Sequence, residues 1–183
     1  MAMKRAITFL VTIIICIGFF TVSLAQEKDE IKSIFFVSKE AKAKLKKVQT
    51  IAIFLNGNDS LRTRIGEDVL SINLANAGFT VISRETLEKA VGEQIAKKRK
   101  GEIGGVVNAL EIGRLVNADV ILIGTVIIES QKEKLFSVSI ASFQLVDVLN
   151  GKTLINIFFE SKEGISFTKI AKKVVAILKQ NIG

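Results

Sequence analysis

The chain has 183 residues, 49% of them apolar and 24% charged, enough for one domain with a sizeable core beyond whatever is spent on targeting. It is basic, with a formal charge of +8, and holds one cysteine and no histidine, proline, tyrosine or tryptophan. A Ser-His-Asp or Cys-His site is thereby excluded, a zinc centre would need carboxylates alone, and base-stacking platforms would rest on phenylalanine, which makes nucleic acid a poor partner.

At the N-terminus, Lys4 and Arg5 precede an almost unbroken apolar run from Ala6 to Leu24. Ser23-Leu24-Ala25 places small residues at both recognition positions of signal peptidase. Residues 1–25 are therefore expected to be a signal peptide, cleaved between Ala25 and Gln26, with export to the periplasm or cell envelope. The run is also long enough to remain as an uncleaved membrane anchor. Cys16 follows Ile13, Ile14 and Ile15 rather than a small residue, which argues against lipidation, and cleavage leaves no cysteine for a disulfide. Loss of Lys4 and Arg5 lowers the charge by two, and the remaining basic chain suits anionic lipid, wall polymers or acidic protein faces.

Residues 26–47 read as a charged lead-in containing one apolar knot, Ile34-Phe35-Phe36-Val37, and a short basic helix from Ser38 to Lys47. Val48 to Leu55 is a buried strand that stops at Asn56-Gly57-Asn58-Asp59. Asp59 or Ser60 can cap the following helix, whose apolar stripe is read as Leu61, Ile65, Val69 and Ile72, widened by Leu70 and Leu74. Gly78 stands where a C-terminal helix glycine belongs. Phe79 to Ile82 is a second strand, and Ser83 opens a helix that shares Leu87, Ala90, Val91 and Ile95 on one face. Its early Glu85 and Glu88 and its late Lys97-Lys98-Arg99-Lys100 agree with the helix dipole, so GFTVISRETLEKAVGEQ is a strand-to-helix junction rather than a reactive site.

Gly101 to Gly105 matches neither common phosphate-binding fingerprint and reads as a loop. Val106 to Val116 is a helix in which Gly113 costs about 1 kcal/mol relative to alanine, pointing to close packing on a neighbour. Asp119 to Glu129 is a central strand, Leu135 to Val148 alternates, Asn150-Gly151 signals a two-residue hairpin, and Thr153 to Glu160 returns. From Ser166 onward, Phe167, Ile170, Val174 and Ile177 make a final amphipathic helix with Lys169, Lys172, Lys173 and Lys179 mainly on its polar side. That basic face is available to an anionic membrane or wall surface. The domain layout expected is thus 1–25 signal peptide, 26–47 lead-in and 48–183 a single α/β domain.

Four stretches, TIAIFLNGND, LANAGFTVISRETLEKAVGEQ, ALEIGRLVNADVILIGTV and FQLVDVLNGKTL, follow one another in a familiar order. Through Gly78, Phe79, Val81, Arg84, Glu93, Gln94, Gly113, Ala118, Asp119, Gly124, Thr125, Asp147 and Gly151, residues 48 to 160 resemble a bacterial envelope superfamily. It includes CsgG-type curli-secretion proteins, LpoB-type activators of penicillin-binding proteins and FlgO-type flagellar outer-membrane proteins. The resemblance implies an α/β sandwich on a mixed sheet, with two N-terminal strand-helix units, a three-stranded antiparallel meander and packed helices. It also implies a non-catalytic protein-interaction role in envelope assembly or regulation, with envelope proteins as partners, homo-oligomerisation in some members, and neither cofactor nor metal. The alternative is a subunit of an oligomeric curli-like secretion or surface-appendage complex. Arg84, Glu93, Asp119 and Asp147 are the candidate interaction or fold-signature residues, expected to act through internal ion pairs or caps. An enzyme using Asp119, Glu129 or Asp147 ranks last, because no carboxylate pair spans a cleft in the pattern. The chain departs from the lipoprotein members in lacking a lipidation signal.

Overall fold

A computed structural model describes residues 32–98, 105–131 and 134–182. The expected signal peptide with its Ala25–Gln26 cleavage site, and most of the Gly101–Gly105 loop, lie outside the described residues. Strand β1 (Lys32–Val37) and helix α1 (Ala41–Leu45) are followed by β2 (Thr50–Gly57), α2 (Ser60–Asn76), β3 (Thr80–Val81) and α3 (Arg84–Lys98). Then come α4 (Gly105–Leu115), β4 (Val120–Gln131), β5 (Lys134–Asp147), β6 (Thr153–Ile165) and α5 (Phe167–Ile182).

These elements build one mixed six-stranded sheet in the order β1-β6-β5-β4-β2-β3. The strands β4, β5 and β6 form the antiparallel meander, while β2 runs parallel to both β4 and β3. The two strand-helix units and the meander therefore stand as read from the pattern, and the strand arrangement differs in one respect. The apolar knot at residues 34–37 is itself a strand, paired antiparallel with β6 from Lys32↔Glu160 to Val37↔Ile155. With α1 it belongs to the compact unit Ile31–Gly183. Four consecutive apolar residues in a charged segment carry no alternation, so nothing in the pattern marked the knot as an edge strand.

Each face of the sheet has its own core. On one face α1, α2 and α5 cover Ile51, Ile53, Val120, Leu122, Phe143, Leu145, Ile155, Ile157 and Phe159. On the other, α3 and α4 cover Ala52, Ile121 and Val148 with Leu87, Ala90 and Ile112. Covering on both faces is why β2 and the first half of β4 read as continuous apolar runs. Gly113 meets its expectation: a Cβ there would lie 2.5 Å from Ile121 Cδ1 and 2.9 Å from Val148 Cγ2. Helix α5 buries Phe167, Ile170, Val174 and Ile177 as its pattern requires.

Helix α2 departs from its expected stripe. Its buried positions are Thr63, Gly66, Leu70 and Leu74, while Leu61, Ile65 and Ile72 are exposed. The sheet-facing side is polar or small where α5 crosses: the Thr63 hydroxyl donates to Asp59 O (2.6 Å), and the Phe167 ring fills the space above Gly66. Asp59, not Ser60, is the cap, accepting from the Arg62 N–H at 2.9 Å. At the other end the expected glycine signal holds. Gly78 has φ +99°, Gly78 N–H bonds to Ala75 O and Phe79 N–H to Leu74 O, a Schellman closure that buries Phe79 beside Leu74.

The β5–β6 connection is longer than a two-residue hairpin. Gly151 N–H donates to Asp147 O and Asp147 N–H to Lys152 O, so four residues make the turn, with Gly151 at φ +72°. Val148 N–H is drawn instead to Asp119 O, which extends the pairing with β4 and moves the Asn-Gly pair off the tip.

Candidate functional site

The helix end at Gly78 sends the chain back along β2, where Thr80 N–H donates to Gln49 O and Ile82 N–H to Ile51 O. There β3 stops, having paired only with Thr50 and Ile51. The Ser83 hydroxyl accepts the Thr86 N–H (3.2 Å) and starts α3, which leaves the sheet plane. Beyond Ile51, therefore, that edge of β2 has no strand beside it among the described residues. Backbone groups alternate along a strand, so those of Ile53 and Leu55 point to the same side as those of Gln49 and Ile51, into the space between α2 and α3.

This space is a groove of about 690 Å³. Its apolar lining includes Ile53, Phe54, Ile72, Val81, Leu87 and Val91. Its polar rim holds Glu67, Asp68, Arg84 and Glu88. Arg84 bridges the walls: its guanidinium pairs with Glu67 on α2, and its Nε donates to Glu88 Oε1 at 2.8 Å on α3. Glu67, whose side chain is 14% exposed, also accepts the Leu55 N–H at 2.9 Å, satisfying one donor of the bare β2 edge. One carboxylate thus ties β2, α2 and α3 together. The Glu88 hydrogen bond raises the Arg84 guanidinium above its usual value.

Burial holds the Glu67 carboxyl above its ordinary value, against the opposing pull of the Leu55 N–H and the Arg84 charge. A raised carboxyl binds its proton more readily in the folded chain than in the unfolded one. Its contribution to stability is therefore fullest below the unfolded value and is lost as pH rises through the folded one. Glu67→Gln keeps an acceptor for Leu55 but cannot titrate. Wild type should gain stability relative to Glu67→Gln on acidification from about pH 7 to about pH 4, read as the difference between urea unfolding curves. A difference independent of pH would contradict this.

Of the candidate residues whose side chains are described, Arg84 alone lies in the groove. Asp119 sits at the opposite ends of the parallel strands, where its Oδ2 accepts the N–H groups of Gln49 and Thr50, each at 2.9 Å. Asp147 is buried, accepts the Leu149 N–H at 3.0 Å and pairs with Lys44 at 3.1 Å. Asp119 and Asp147 are neighbours through Val120↔Asp147, and both hold backbone in place. The Glu93 side chain lies outside the described residues. Glu67 escaped the sequence reading because it sits on a helix beside the misassigned stripe, with its partner 17 positions away. Among the described residues no group of histidine, cysteine or carboxylate side chains could hold a metal ion, and no helix is long and apolar enough to cross a membrane.

No protein-family model and no curated protein sequence matches the chain. Solved structures similar to it include a PelC dodecamer from Paraburkholderia phytofirmans, 14% identical over 83% of this chain and 97% of that one, with a TM-score of 0.49. The LpoB C-terminal domain from Escherichia coli is 19% identical over 67% of this chain and 96% of that one, with a TM-score of 0.45. Lipoprotein GNA1162 from Neisseria meningitidis is 21% identical over 72% of this chain and 96% of that one, with a TM-score of 0.40.

Proposed function

We propose that this chain is a non-catalytic protein-interaction module of the bacterial cell envelope, exported by residues 1–25, and that it grips an extended segment of a partner protein in the groove between α2 and α3. The observation that carries the reading is the apolar surface of α2. Leu61, Ile65 and Ile72 recur at helical spacing and are exposed, and Ile72 lines the groove. A stripe of this kind marks an interaction face when it adjoins a concave site.

The occupant follows from the chemistry of the walls. The Ile53 backbone groups offer strand-type hydrogen bonds, and the apolar floor takes alternate side chains, as in recognition by strand addition. The rim sets Glu67, Asp68 and Glu88 against the single charge of Arg84, a local acidic excess on a basic protein. The segment bound is accordingly extended and apolar, with a cationic side chain that reaches Asp68 or Glu88.

Selection of a random peptide library against the chain from Gln26 onward tests this. Enriched peptides should share alternating apolar positions and a lysine or arginine, and Asp68→Lys should weaken them by about tenfold, the effect of removing one favourable charge and adding a repulsive one. An acidic consensus, or peptides indifferent to Asp68→Lys and Ile72→Asp alike, would overturn the reading.

A further inference from the structure

The opposite edge of the sheet carries a second surface, independent of the groove. Strand β1 is exposed along almost its whole length, its apolar residues included: Ile34 is 70% exposed, Phe36 63% and Phe35 49%. Phe158, paired with Ile34 on β6, adds to the patch from the face that α3 and α4 leave uncovered on this side. Natural edge strands are usually blunted by charge, proline or a bulge, and β1 has none of these between Ser33 and Val37.

The backbone fixes what this edge can accept. Ser38 N–H donates to Leu154 O, in register with the pairs from Lys32↔Glu160 to Val37↔Ile155. In an antiparallel ladder bonded and non-bonded pairs alternate, so Lys32, Ile34 and Phe36 turn their backbone groups inward to β6. Ser33, Phe35 and Val37 turn theirs outward, where no strand among the described residues meets them. A lipid surface would take the phenylalanines but leave those donors and acceptors unsatisfied, which hydrocarbon penalises heavily. A second strand satisfies them.

We propose that β1 pairs antiparallel with β1 of a second copy about a two-fold axis at Phe35, joining two six-stranded sheets into one. The register is self-complementary. Phe35 faces Phe35, Ser33 faces Val37, Ile34 faces Phe36, and Lys32 faces Ser38, so the strand's lysine meets a hydroxyl and no like charges stand opposite. The cross-strand Ile34–Phe36 pairs, flanked by the Phe158 of each copy, close the exposed patch over the axis.

The test uses the chain from Gln26 onward, which retains the compact unit Ile31–Gly183 with both apolar cores and lacks Cys16, so that an introduced cysteine is its sole thiol. Light scattering should give twice the monomer mass at high concentration, and Phe35→Lys should return it to the monomer, with the melting temperature of wild type diluted until it dissociates. Phe35→Cys places two thiols opposite each other at a Cα separation of about 5.5 Å, whereas two Ser33→Cys thiols lie about 14 Å apart along the strands. Short-span thiol crosslinking should therefore be roughly tenfold faster for Phe35→Cys. Equal crosslinking of the two variants would overturn the register. A wild-type monomer, a larger assembly untouched by Phe35→Lys, or a monomer that binds phosphatidylglycerol vesicles through β1 would overturn the pairing itself.

Discussion

Replacing Phe143 by alanine should lower the unfolding free energy by about 3–5 kcal/mol, a large share of the roughly 5–15 kcal/mol that holds a domain folded. Phe143 lies on β5, in the middle of the sheet, and is 1% exposed. Its ring meets Phe159 edge-on, with centroids 6.1 Å apart and planes at 72°, so truncation removes an aromatic pair as well as apolar area. It also rests on Gly124 of β4, where a Cβ would come within 2.7 Å of the Phe143 Cδ1. Gly124 has no side chain to fill the vacated space, and the neighbour there is Leu55, whose Cδ2 lies 2.6 Å from the same Cβ position. Urea unfolding followed by circular dichroism reads it directly, and a loss below about 1 kcal/mol would mean that the ring is not packed as described.

Gly66→Leu comes next, with an expected loss of about 3 kcal/mol. Helix α2 crosses α5 at this residue, and a Cβ on Gly66 would sit 2.2 Å from Phe167 Cε1 and 2.5 Å from Cζ. The ring is buried and stiff, so one helix must move off the other. Helix propensity works in the opposite direction, since leucine gains up to about 1 kcal/mol over glycine in a helix interior. The overlap is the larger effect, and the double variant Gly66→Leu with Phe167→Ala identifies it. Removing the ring makes room for leucine, so the pair should be less destabilised than the sum of the single changes by about 1–3 kcal/mol. Strict additivity would contradict a direct contact.

Gly66 also explains why α2 was misread. Apolar periodicity finds a helix face when that face is apolar, and Leu61, Ile65, Val69 and Ile72 supply the stronger period. The buried side instead uses a glycine to admit a ring and a threonine that bonds its own backbone, and neither scores as hydrophobic. The apolar residues so displaced are the ones that make the candidate interaction face. Signals tied to backbone geometry were legible: Gly78 in its left-handed helix end, Gly113 under Ile121, and the continuous apolar runs of β2 and β4. Signals that depend on long-range pairing were not. Strand β1 finds its partner more than 100 positions later in β6, and Glu67 finds Arg84 across two elements. Arg84 was marked by resemblance alone, and only its position at the groove relates it to Glu67, Glu88 and the unpaired edge of β2.

The most direct measurement of the central claim is site-specific photo-crosslinking in cells that express the chain, with the photoreactive residue placed singly at Ile72, Glu88 or Lys162. Ile72 and Glu88 line the groove, whereas Lys162 is exposed on β6, well away from it in the sheet. The groove reading predicts one shared adduct with another envelope protein from Ile72 and Glu88, absent from Lys162 and lost when Asp68→Lys is added. Adducts from Lys162 alone, or groove adducts made only with a second copy of this chain, would contradict it.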